Sequence, residues 1–84
     1  MNKAEIDAVM AACLAWVRQH HRATLQVSEA SEIRRALTQR ARDPFAAAPA
    51  IVDLVRLAHG KANEIIGRRR DRAQRAEHQR VARP

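Results

Sequence analysis

The chain reads as an all-α protein, a small three- to four-helix bundle ending in a basic, solvated C-terminal helix. Three observations predict this. Apolar residues recur at spacings of three and four through the first twenty positions, the mark of an amphipathic helix. No Gly or Pro precedes residue 44. After Gly67 the large apolar residues give way to Arg, Ala, Gln and Glu, which form helices readily but offer little to bury.

At 84 residues the chain holds one domain, and a domain this short buries only roughly 60% of the surface of its unfolded chain. Alanine supplies much of the 46% apolar content, and Trp16 and Phe45 are the only aromatics among Phe, Trp and Tyr. So small a core favours close helix packing or help from a second copy or another protein. The sequence leaves self-association open. It divides into a helical core, residues 1–67, and an arginine-rich helix or tail, residues 68–84.

The first element is expected over residues 3–21. Ile6, Val9, Met10, Cys13, Val17 and His20 form its stripe, with Leu14 beside it and Trp16 at its edge. Asn2 and Glu5 have the spacing of a capping box. Residues 22–28 alternate apolar and polar like a strand, but one strand has no partner here. They read as an extended connection whose Leu25 and Val27 plug the core, unless a second copy supplies another strand.

Ser28 is read as the cap of a second helix, about 29–42, with a thin apolar side made of Ile33, Leu37 and Ala41. Pro44 and Pro49 limit the next segment to one turn. The third helix starts near Pro49 with Ile51, Val52, Leu54, Val55, Leu57 and Ala58, a density that marks it as the centre of the core. The series 51, 55, 58, 62, 65 favours its continuing through a weak point at Gly60.

Charge is the strongest functional signal. The net charge is +7, and residues 68–84, with seven Arg against Asp71 and Glu77, supply +5 of it. A GC-rich genome accounts for Arg over Lys but not for this clustering. On a helix, Arg68, Arg72, Arg75 and Gln79 fall on one stripe, with Arg69, Ala73 and Ala76 alongside. Such a stripe suits a phosphate backbone, because the guanidinium fork matches phosphate and Ala permits close approach. Arg68, Arg69, Arg70, Arg72, Arg75 and Arg80 are therefore the candidate nucleic-acid-binding residues, in a small regulator of DNA or RNA.

The run Arg-Arg-Arg-Asp-Arg-Ala-Gln-Arg-Ala-Glu-His-Gln, residues 68–79, resembles the arginine-rich RNA-binding helices of phage antitermination proteins. The resemblance covers about a dozen residues and implies binding to an RNA hairpin. Asp71, the C-terminal placement and the lack of a stacking aromatic depart from that pattern.

The alternative is a protein-binding adaptor or inhibitor of mobile-element type. Trp16 and the outer face of the second helix, with Arg34, Arg35 and Gln39, would dock on a larger protein, since Trp and Arg dominate binding hot spots. A helix-turn-helix fits poorly, because the would-be recognition helix is the most apolar segment of the chain.

Catalysis is not expected. Cys13 lies on the apolar stripe and reads as a buried hydrophobe, and adjacent His20 and His21 point about 100° apart on a helix, which suits no shared metal. His59 is read as a complement to a helix C-terminus. No cofactor is expected. A lone cysteine, no secretory pattern and no apolar run long enough to cross a bilayer predict a cytoplasmic protein.

Overall fold

The computed structural model describes residues 3–82. Three helices make up the fold: α1, Lys3–His21; α2, Val27–Ala41; and α3, Ile51–Ala82. Each packs on the other two. Asn2, the expected cap of α1, lies outside the described residues.

Pairings across the bundle fix the direction of each helix. Cys13 meets the Ala58 carbonyl at 3.7 Å, and His21 meets Asn63 at 2.9 Å, so α1 and α3 run parallel. Asp7 pairs with Arg34 at 2.6 Å and Arg68 with Glu32 at 2.6 Å, so α2 runs antiparallel to both. This is an up-down-up bundle.

The core is small, as the length requires. Val9, Cys13 and Val17 from α1, Ile33 and Leu37 from α2, and Leu54, Ala58, Ala62 and Ile65 from α3 are essentially closed to solvent. Alanines at 58 and 62 let α3 approach its neighbours closely. Burial pushes the Cys13 thiol above its ordinary pKa, which makes this cysteine an inert packing group.

α1 ends where expected, without a glycine. Arg22 takes the left-handed conformation, φ 50°, that stops a helix. Residues 22–26 form no strand. Leu25 packs against the core as the alternation suggests, whereas Val27 is 85% exposed and does not.

Three further expectations are corrected, on the cap of α2, the centre of the core and the place of His59, while the continuation of α3 through Gly60 is as its rhythm predicts. Gln26, rather than Ser28, caps α2, and its N–H donates to Glu29 Oε1 at 2.8 Å. Ile51 and Val52 are each 54% exposed, so the start of α3 is not the centre of the core. Ile51 borders an open groove against α1, and the packed stripe begins at Leu54. α3 passes through Gly60 without a break. His59 consequently sits inside a helix rather than at its C-terminus.

α3 is much longer than its neighbours. Its 32 residues span about 48 Å at 1.5 Å per residue, and the molecule measures 55 × 28 × 18 Å. The radius of gyration, 15.8 Å, exceeds the ~12 Å of a compact domain of this length. The excess comes from the arginine-rich end of α3, which leaves the bundle as the solvated helix the composition predicts.

Candidate nucleic-acid interface

Among the described residues, Arg69 is the last α3 side chain hydrogen-bonded to the rest of the bundle. Its Nε donates to Glu29 Oε2 at 2.8 Å, its Nη2 donates to the other oxygen of the same carboxylate, and Nη2 also reaches the Thr24 carbonyl at 3.0 Å. A two-point guanidinium–carboxylate fork is among the stronger polar contacts a protein makes. Glu29 is 13% exposed and Arg69 29%, so solvent screens the pair less than a surface bridge. The Arg69 bond holds the Glu29 carboxyl below its ordinary pKa, and the Gln26 N–H adds to the effect.

One residue earlier, Arg68 donates to Glu32 at 2.6 Å on an exposed edge. The two acids lie one turn apart on α2 and hold two successive arginines of α3. Beside them an open cleft runs between the helices, with Arg68, Asp71, Arg72 and Arg75 along the α3 wall and Ser28, Glu29 and Glu32 along the other.

From Arg70 to Arg80 every side chain is exposed. Arg80 pairs with Glu77 at 3.3 Å, both well solvated, a contact of little energetic weight. Arg70, Arg72 and Arg75 have no carboxylate within ion-pair distance among the described residues. Arg72 and Arg75 lie on the α2 side, and Arg70 lies about 160° around the helix from Arg72 at 3.6 residues per turn. Both flanks of the projecting helix therefore carry a cation.

The candidate protein-binding residues are dispersed. Arg34 is drawn into its pair with Asp7, while Arg35 and Gln39 stay exposed on α2. Trp16 is half-buried against the core. His59 stacks on it at 4.1 Å and 12°, His20 at 4.9 Å and 28°, and His21 meets its edge at 5.3 Å. With imidazoles from both α1 and α3 packed around its indole, Trp16 joins the two helices.

Sequence reasoning missed two groups. Glu29 and Glu32 divide the arginine tract, a role that depends on the antiparallel alignment of α2 with α3. Phe45 is 97% exposed on the loop between α2 and α3. Comparison with known proteins finds no matching family model, no similar curated protein and no similar solved structure. The functional reading therefore rests on the residues themselves.

Proposed function

We propose that this protein is a small non-enzymatic regulator that binds nucleic acid through the projecting end of α3. Arg70, Arg72 and Arg75 are the primary phosphate contacts, and Arg68 and Arg80 are supplementary ones. The observation that carries this reading is that Arg70, Arg72 and Arg75, exposed towards the projecting end of α3, have no carboxylate within ion-pair distance among the described residues. A charge cluster needed only for solubility has no reason to be lifted off the fold on a continuous helix. From Arg68 to Arg75 the helix rises about 10 Å, close to three nucleotide steps of one strand at about 3.4 Å each.

Arg69 supports the interface indirectly. By fixing α3 to the start of α2, it sets where the projecting segment begins. Exposed cations on both flanks suit a groove with a phosphate wall on each side.

The test is fluorescence anisotropy with a labelled RNA hairpin, duplex DNA and single-stranded DNA. Binding that the triple change Arg70→Ala, Arg72→Ala, Arg75→Ala weakens, with helicity retained, supports the reading. Equal affinity of wild type and triple variant for all three ligands overturns it.

A further inference from the structure

A further arginine stands beside the projecting helix, on the turn that joins α1 to α2. Two contacts tie this turn to α3. His21 meets Asn63 at 2.9 Å, and Arg69 donates to the Thr24 carbonyl at 3.0 Å. Arg22 lies between the two tied residues, so its backbone runs alongside α3 within the roughly 9 Å that separate Asn63 from Arg69. At about 100° per residue, His59, Ile66 and Arg70 fall between Asn63 and Arg69 around the helix. Trp16 stacks on His59 and holds the end of α1 to this same face. The turn therefore lies over the buried Ile66, and Arg70, about 6 Å further along, is the first charged side chain of the face beyond it.

Arg22 has a conformation that its side chain does not explain. It is exposed, and its φ of 50° lies in the left-handed region, which favours Gly or Asn because a longer side chain on Cβ crowds the backbone there. It is the one non-glycine residue with positive φ among the described residues. Its side chain has no hydrogen-bond or ion-pair partner among them. The fold gains nothing from an arginine at this place that a glycine would not supply. An uncommon backbone conformation carrying an unused guanidinium points to a contact outside the chain.

Charge identifies that contact. Residues 8–28 contain no Asp or Glu, and Glu29, which shares Arg69 with the turn, is held by that arginine at both carboxylate oxygens. On the α2 side of α3, by contrast, Arg68, Arg72 and Arg75 share their cleft with Glu29, Glu32 and Asp71. The next carboxylate on the Arg70 face is Glu77. It is paired with Arg80 and lies about 10 Å beyond Arg70, further than the ~8 Å screening length at physiological salt. The corner between the turn and the projecting helix is thus cationic on both sides. We infer that Arg22 and Arg70 form a corner that takes successive phosphates of the nucleic acid held by α3. This rests on the reading of α3 as a nucleic-acid interface, and it adds a contact from a second element. Two elements meeting the same backbone fix how the ligand lies against the bundle, which one projecting helix does not.

The test is fluorescence anisotropy with the labelled RNA hairpin, duplex DNA and single-stranded DNA at several salt concentrations. Arg22→Asn removes the charge and keeps a residue that tolerates left-handed backbone. It is expected to weaken binding about fivefold at ~0.15 M salt, the factor one phosphate contact contributes at a slope of about 0.9, and to make the salt slope shallower by nearly one. Its circular-dichroism melt should be no lower than that of wild type. Arg22→Lys, which keeps the charge, should recover most of the affinity. Unchanged affinity and slope in Arg22→Asn, with binding still weakened by the triple change on α3, overturns the inference and leaves the helix interface standing. An equal loss in Arg22→Asn and Arg22→Lys overturns it too, by assigning the effect to the shape of the turn. Wild-type protein that binds none of the three ligands overturns the reading of α3 and this inference together.

Discussion

Arg69 and Arg70 are neighbours in a run of identical side chains, yet the fold uses them differently. Arg69 joins α3, the Thr24 carbonyl and the capping carboxylate of α2, whereas Arg70 faces solvent. Arg69→Ala should therefore cost about 1–2 kcal/mol of stability, the worth of a partly solvated charged hydrogen-bond fork, and lower Tm by roughly 4–8 °C per kcal/mol. Arg70→Ala should stay within about 0.5 kcal/mol of wild type. Thermal melts of the two variants check both. The same clamp sets an acid dependence. The Glu29 carboxyl sits below its ordinary 4.5 in the folded protein, so its contribution is complete above about pH 4.5 and is lost as pH falls through the lowered value. Glu29→Gln, which removes the charge at every pH, should reduce stability at neutral pH and flatten its acid-side decline. Little of this was legible in the sequence. Ser28 is a stronger intrinsic cap than Gln26, but Glu29 serves the Gln26 N–H and Arg69 together, and that tertiary contact fixes where α2 starts.

At the scale of elements, α1 was legible because its stripe is long and strictly periodic, with five buried residues at helical spacing. The start of α3 was misread for the opposite reason. Apolar density there says nothing about which side faces a neighbour, and Ile51 is left 54% exposed beside α1. The rhythm of α3 did predict its passage through Gly60. That glycine is exposed, and a Cβ built on it meets nothing within 4 Å; the same space is open at Gly67. Neither has positive φ. Gly60→Ala should therefore stabilise the protein by about 1 kcal/mol, measured by urea unfolding. A destabilised variant would show that α3 bends at Gly60 in solution. Stiffening this point should also hold the projecting segment in line with the bundle.

For the whole molecule, the separation of tasks by position is the main result. The middle of the bundle holds the core and the Trp16–histidine stack, one end leaves Phe45 and Ile51 exposed, and the other projects Arg70, Arg72 and Arg75. Composition revealed the charged end, since +5 within seventeen residues needs no structure to detect. It could not show which arginines are engaged, because that follows from the alignment of Glu29 and Glu32 with α3. The resemblance to arginine-rich RNA-binding helices covers this same projecting segment. The salt dependence of binding addresses the phosphate contacts most directly. Taken alone, Arg70, Arg72 and Arg75 predict that log K against log salt concentration has a slope of about −2 to −3, between the duplex and single-strand limits of about 0.9 and 0.7 per neutralised phosphate. Each of Arg70→Ala, Arg72→Ala and Arg75→Ala should make that slope shallower by nearly one, whereas Arg35→Ala on α2 should leave it unchanged. A slope near zero, or one that falls equally for Arg35→Ala and the α3 variants, would contradict binding through the projecting helix.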